Sequence, residues 1–252
     1  IMNNAESVQE FQLRKCKIVI EQLKEAGVPL FHTRIQKESG INDMNKTVIL
    51  LTACINPKGM SYTAIQDIAV RTRQYTEALD FYLQNSHLKI VFVENTLYDI
   101  SSSYKQYIAE NRLECLSFAG NTFSRELGKG YGEAEIIKYA LEHSSFIKEA
   151  DYIVKITGRL ILRNLNNILG ITNLLYAGRK NGVSVDVIDE HIAESRVIIA
   201  SFDFYSTFFI PNMNQINDSS GYYFEHLLVS SIKNWISSGN IFIPIPVFPQ
   251  FV

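Results

Sequence analysis

Three stretches of this chain carry residues suited to holding an anion. In ADYIVKITGRLILRN, residues 150–164, an apolar run gives way to Lys155, Thr157, Gly158 and Arg159. An ammonium and a guanidinium at a strand end can pair with phosphate oxygens directly. In GKGYGEAEIIKYALEH, Gly128, Gly130 and Gly132 precede a helix expected from about residue 133 to 143. First-turn amides and the positive dipole end would receive an anion there, and glycine lets backbone and ligand approach closely. The spacing is GxGxG rather than the dinucleotide fingerprint GxGxxG, and it does not directly follow a strand, so a flexible loop before a helix reads equally well. In RTRQYTEALDFY, Arg71 and Arg73 open a helix. An arginine fork suits a diphosphate, but positions two apart on a helix face apart, so one of the two is expected inward; Arg73 is assigned to the ligand side.

These residues need a scaffold, and the hydrophobic pattern supplies one. TVILLTACI is a β-branched apolar run of strand length, suited to a buried central strand. It is followed by a helix expected around residues 65–84, the strand LKIVFVEN, a helix around 101–111 and the short strand LECLSF. The helix of 133–143, the strand DYIVKI, a helix over 164–177 and the strands VSVDVI and RVIIASF come next. Strand and helix in alternation predict an α/β fold with a mostly parallel sheet flanked by helices. Ligands collect at the carboxyl ends of such strands, which singles out the loops TACINP, VENT, FAGNTF and KITGR. Residues 6–26 predict an N-terminal helix closed by Gly27, residues 219–237 a C-terminal helix, and residues 241–251 an extended tail broken by prolines. Residues 1–44 are accordingly a helical extension and 45–252 a single catalytic domain.

The bulk composition excludes several classes. At 252 residues with 46% hydrophobic residues the chain can bury a full core. A formal charge of -2 gives no overall drive toward nucleic acid or an anionic membrane. Cys16, Cys54 and Cys115 are odd in number, widely spaced and without a CxxC pair, which predicts neither a disulfide framework nor a zinc site and suits a reducing cytoplasm. The longest apolar runs, 48–55 and 197–210, are too short or too interrupted to span a bilayer, and no signal peptide is expected. Ile1 ahead of Met2 leaves room for a terminal segment beyond the numbered residues.

The order and spacing of Gly130-Tyr131-Gly132-Glu133-Ala134, the helix to Leu141 and Ala150-Asp151-Tyr152-Ile153 resemble the inverting glycosyltransferases of the GT-A fold, family 2 type. In that family a glycine-containing loop and an alanine-containing helix lead to a strand closed by an acidic DxD motif. VILLTACINP is similar to its first strand and nucleotide-binding loop, and KIVFVENT to its second, so that the likeness covers roughly residues 47–159. The set TACINP, RxRQYxEALxFY, VENT, KGYGEAEII and KITGR further resembles bacterial glycosyltransferases from capsule and O-antigen loci.

The resemblance implies roles residue by residue. Thr52, Asn56 and Pro57 would line the nucleotide pocket, and Glu94 and Asn95 would recognise uracil or ribose. Where the family has acids and a divalent metal that stabilises the departing nucleoside diphosphate, this chain has Lys155, Thr157, Gly158 and Arg159. That substitution implies cationic stabilisation without an ion; Asp186 or Asp189 could supply an acid from elsewhere, so a divalent metal, Mn or Mg, held without a DxD motif is the alternative. The family's base is an acid late in the domain near a helix start. Glu225 in GYYFEHLL, flanked by aromatics that could stack on a sugar, fits first; Asp203 is the rival, with His191 and Glu194 behind it. Arg196 would serve the donor or pair with Glu194.

The implied reaction is transfer of a sugar from a nucleotide donor, a UDP-sugar, to a growing bacterial surface glycan. A lipid-linked acceptor would bring peripheral contact with the inner membrane face. Two other readings stand beside it. A sugar nucleotidyltransferase of related fold would carry a glycine-rich Arg/Lys loop directly after the first strand, where TACINPKGMSYT offers Lys58-Gly59. A non-catalytic glycan- or partner-binding domain would also lack the acidic pair.

Overall fold

The computed structural model describes residues 46–60, 63–176 and 181–252. The helix expected over residues 6–26, and with it the N-terminal extension, lies outside the described residues. The described chain forms β1 (Thr47–Ala53), α1 (Ile68–Asn85), β2 (Lys89–Glu94), α2 (Lys105–Ala109), β3 (Leu113–Ser117) and α3 (Gly128–His143). It continues through α4 (Ser145–Lys148), β4 (Tyr152–Thr157), α5 (Leu165–Tyr176), β5 (Val183–Ser184), β6 (Val197–Ser201) and α6 (Phe224–Ser237). The six strands make one sheet in the order β3-β2-β1-β4-β6-β5. β1 pairs in parallel with β2 and β4, and β2 with β3. The mostly parallel α/β sheet expected from the sequence is the architecture found.

β1 is buried along its whole length, as expected of a central strand covered by helices on both faces. Its alternation assigns the two cores. Ile49, Leu51 and Ala53 pack with Tyr75, Leu79 and Tyr82 of α1 and Ile168 of α5. Val48 and Leu50 pack with Ala134, Ile137 and Ala140 of α3 and Leu228 of α6. Thr52 continues the second row to the strand's carboxyl end. β4 repeats the pattern: Tyr152, Val154 and Ile156 belong to the first core and Ile153 to the second, so strand alternation aims Lys155 and Thr157 toward α3.

β6 departs from the parallel plan, running antiparallel to both β4 and β5. Antiparallel neighbours need no helical crossover, and the connection over residues 185–196 is a loop whose Val187 and Ala193 bridge. Because Val197 stands opposite Ile156, the residues just before β6 arrive at the carboxyl end of β4. The strand expected over VSVDVI is therefore cut to Val183–Ser184.

Two further differences are local. α3 starts at Gly128, not at residue 133, so the three glycines occupy its first turns instead of a preceding loop. Phe204–Phe209 winds as π-helix and Ile210–Gln215 as 3-10 helix; Phe204, Tyr205 and Phe209 bury their rings against Trp235 and Phe224. The expected tail is found: Ile243 and Ile245 donate to the carbonyls of Val183 and Val185. No helix among the described residues is long and apolar enough to cross a membrane.

Candidate functional site

A cavity of about 550 Å³ opens at the carboxyl ends of β1 and β4, closed by the first turns of α3 and α6 and by the segment leading into β6. Gly158 joins the two strand ends. Its amide donates to the Thr52 carbonyl at 2.9 Å, and a Cβ there would lie 2.7 Å from that oxygen, closer than real side chains approach. Only glycine lets β1 and β4 come this near, so Gly158 holds the frame of the cavity.

Glu133, from α3, is the centre of the polar cluster at this end. Its Oε1 accepts from Thr52 Oγ1 at 2.9 Å and from Thr157 Oγ1 at 3.3 Å. Lys155 Nζ lies 2.5 Å from the same oxygen and donates to the Ser195 carbonyl at 2.7 Å. Lys155 is fully buried, with its ammonium 5.3 Å from the Phe224 ring centre. A buried ammonium persists only when paired and hydrogen-bonded, and Glu133 with the Ser195 carbonyl provides both. Lys155 therefore holds the site together from beneath and does not line the cavity. A divalent cation does not fit the end of β4: Thr157, Gly158 and Arg159 offer no carboxylate, and Glu133 is already neutralised by Lys155.

Ser195 links this cluster to α6. Its hydroxyl donates to Glu225 Oε1 at 2.6 Å, while its carbonyl receives Lys155. Glu225 sits in the first turn of α6, where the helix dipole favours a carboxylate. Beside it, Arg196 Nη2 reaches Glu194 Oε2 at 2.6 Å and its guanidinium lies over the Phe251 ring at 4.6 Å. Burial opposes ionisation of Glu194, but the hydrogen bonds from Arg196 hold its carboxyl below the usual range. Arg159 and Lys129 line the cavity as exposed cations, and neither side chain has a hydrogen-bond or ion-pair partner among the described residues.

Asp218 explains the glycines. Its carboxylate sits against the N-terminus of α3, where Gly130 N donates to Oδ2 at 3.5 Å. A Cβ on Gly128 would fall 2.1 Å from Asp218 Oδ2, and one on Gly130 3.2 Å from Oδ1. The helix start thus takes an internal carboxylate, for which Gly128 and Gly130 make room, while Gly132 makes room for the Phe123 ring, 2.9 Å from where its Cβ would be. Burial pushes the Asp218 carboxyl above its ordinary value, with the neighbouring Glu225 charge acting in the same direction.

The cavity brings together Thr52, Asn95, Gly130, Gly132, Thr157, Arg159 and Glu225 from the residues expected at a ligand site. Arg71, Glu194 and Arg196 line it as well; Arg71 is the arginine turned inward, and its guanidinium is taken up by the carbonyls of Cys54 and Ile65 and the Tyr75 hydroxyl. Others lie elsewhere. Arg73 is exposed and 3.9 Å from Glu77 one helical turn on. Glu94 is buried and does not reach the cavity: its carboxylate accepts from the amides of Ile55, Thr96 and Tyr98 at 2.9, 2.7 and 2.8 Å, and from the Thr96 hydroxyl. Asn56 and Pro57 lie in the loop that this carboxylate organises, where Pro57 O accepts from Asn121 Nδ2 at 3.1 Å. Asp203 is exposed before the π-helical segment and off the cavity. His191 is exposed beside Glu190, and Asp189 accepts from the amides of His191 and Ile192.

Glu133, Ser195 and Asp218 were not singled out by residue type. Glu133 had a signal, as the acid two turns into a glycine-rich helix start that must cover a lysine of the neighbouring strand. Ser195 and Asp218 reach the site through the reversed strand and a tight turn, which no local pattern announces.

No family model matches the sequence, and no curated protein matches it. Solved structures do align with it. S. aureus TarS, residues 1–349, in complex with UDP gives a TM-score of 0.47 at 10% identity; the alignment covers 81% of this chain and spans 59% of the TarS chain. A cytidylyltransferase from Leptospira borgpetersenii gives 0.43 at 14% identity, covering 81% of this chain and 77% of that one. The mannosyltransferase Ktr4p from S. cerevisiae gives 0.38 at 8% identity, covering 89% and 74%.

Proposed function

We propose that the cavity is the donor site of a GT-A-like glycosyltransferase that takes a nucleotide sugar, a UDP-sugar, and passes the sugar to a hydroxyl of a bacterial surface glycan with inversion. The observation that carries this reading is the pairing, in one cavity, of a held carboxylate with unpartnered cations: Glu225 fixed by Ser195, and Arg159 with Lys129 at the rim.

Glu225 takes the proton of the acceptor hydroxyl as its oxygen bonds the anomeric carbon. The bond from that carbon to the diphosphate breaks, and the electron pair leaves with the nucleoside diphosphate. Arg159 and Lys129 stabilise the growing charge on the leaving phosphate by direct hydrogen bonding, where charge-assisted bonds gain strength as charge develops. Thr52 and Thr157 keep Glu133 over Lys155, so the buried charge pair sets the floor of the site and not its chemistry. A lipid-linked acceptor and attachment at the inner membrane face belong to the same proposal, as does a single catalytic domain over residues 45–252.

The test is a product assay on the purified chain with UDP-sugars and a panel of glycan acceptors, following UDP release, alongside CTP or UTP with sugar phosphates, following pyrophosphate release. Transfer with UDP release is the expected result. Pyrophosphate release would make the chain a nucleotidyltransferase, and binding of glycan without any donor would make it a binding domain.

A further inference from the structure

Packing does not explain a lysine at position 155. Its side chain is fully buried and its ammonium meets Glu133 Oε1 at 2.5 Å, yet a buried ion pair is commonly matched or bettered in stability by apolar side chains of similar volume. What an apolar residue could not do is donate and attract, and two contacts of this ammonium converge on one group. Nζ donates to the Ser195 carbonyl at 2.7 Å, and the Ser195 hydroxyl donates to Glu225 Oε1 at 2.6 Å. The same Nζ lies 5.3 Å from the centre of the Phe224 ring, and Phe224, 1% exposed, is the residue before Glu225. Backbone bonds fix the chain on either side of Ser195: Glu194 N donates to Asp186 O at 2.7 Å, and Thr157 N to Arg196 O at 3.0 Å. Lys155 fixes the carbonyl between them, and with it the residue from which the hydroxyl is presented. Glu225 lines the cavity, held by one oxygen from Ser195 and carried by a helix start whose buried ring rests on the same ammonium.

We infer that Lys155 is a positioning residue for Glu225, acting through the Ser195 carbonyl and the Phe224 ring without touching a substrate. Resting on the reading of Glu225 as the base, this places Lys155 on the acceptor's side of the reaction: its effect falls on the proton that Glu225 takes and not on the donor's phosphates. A base works only within hydrogen-bond reach of that proton, and a misplacement of about 1 Å can cost roughly 10²-fold in rate.

Removing Lys155 alone would strand the Glu133 charge, so the pair is neutralised together, as Lys155→Met with Glu133→Gln, and compared in the full chain with Ser195→Ala and Ser195→Thr. Crystal structures, calorimetric titration with UDP, thermal melts and steady-state kinetics with the UDP-sugar and acceptor that wild type uses are set side by side. The neutralised variant is expected to melt at or above wild type and to keep its affinity for UDP, while kcat falls roughly 10- to 100-fold with little change in KM and the Glu225 carboxylate leaves the Ser195 hydroxyl. Ser195→Ala should lose a similar factor, and Ser195→Thr, which keeps the hydroxyl, should recover most of it. Adding Ser195→Ala to the neutralised variant should cost little more, because both changes act through one hydrogen bond. A folded neutralised variant that keeps the bond from Ser195 to Glu225, losses that multiply in the combined variant, or a fall in turnover that only follows lost UDP binding and melting temperature overturns the inference. If the methionine variant does not fold, Lys155→Gln with Glu133→Gln, which fills the same space with two amides, is judged by the same criteria. Full turnover in Glu225→Gln, or no turnover of any donor by wild type, instead removes the parent reading, and the crystal structures then decide by themselves whether Lys155 positions Glu225.

Discussion

Two strand ends in this molecule carry charged residues at the same level of the sheet, and they have opposite fates. At the end of β2, Glu94 is surrounded by amides of its own loops, and nearby Arg71, although it borders the cavity, has its donors taken by backbone carbonyls and a tyrosine. At the end of β4, the buried pair Lys155 and Glu133 neutralise each other, and past them Arg159 and Lys129 remain open to the cavity. A charge at a strand end is thus no sign of a ligand site until its partners are counted. The β2 end is a knot that shapes the loops, and the β4 end is a knot with a free edge.

Breaking each end separately should show the difference. Glu225→Gln is expected to lower turnover by roughly 10²- to 10⁴-fold, the usual share of a general base, with thermal melting close to wild type; activity of the variant within a factor of two would remove Glu225 from the mechanism. Glu94→Ala leaves three amides without their acceptor and is expected to cost about 3–5 kcal/mol in urea unfolding, losing activity only as the fold is lost. Arg159→Ala should weaken UDP-sugar binding by roughly 10- to 100-fold, the range of one charged hydrogen bond, while stability moves by less than about 0.5 kcal/mol. Arg73→Ala, removing an exposed pair with Glu77, should change stability by about 0.5 kcal/mol or less and leave binding unchanged.

Asp218 adds a pH signature to the β4 side. Burial raises its carboxyl above the ordinary 3.8, so the folded chain keeps that proton where the unfolded chain has released it. Stability from the protonated form is present below 3.8 and falls as pH rises through the folded value. Asp218→Asn does not titrate. The stability of wild type relative to this variant should therefore decline across that window and level off above it, as read from urea melts at stepped pH; a flat difference throughout would mean that Asp218 is not held up by its surroundings.

How far the sequence led follows from which forces are local. β1, β2 and β4 were legible because burial on both faces demands continuous β-branched runs. The start of α3 was not, because each glycine in a helix costs about 1 kcal/mol against alanine and reads as punctuation; the compensating carboxylate of Asp218 lies 88 residues away. Arg71 could have been preferred to Arg73, since Arg71 shares a helical stripe with Tyr75, Ala78 and Tyr82, all buried. Glu225 at a helix start was readable, but the hold of Ser195 on it depends on β6 reversing direction. Phe204–Gln215 shows no helical or strand period because its aromatics are buried through π and 3-10 turns.

The β5 to β6 loop invites a last consequence. Its ends are pinned, by Glu194 N to Asp186 O at 2.7 Å and by Thr157 N to Arg196 O at 3.0 Å, while residues 188–191 stand in solvent. Length and composition can drift at that tip without moving Glu194, Ser195 or Arg196. The molecule has in effect a variable rim on a fixed floor, so the tip can be lengthened, shortened or replaced while the residues beneath stay in register.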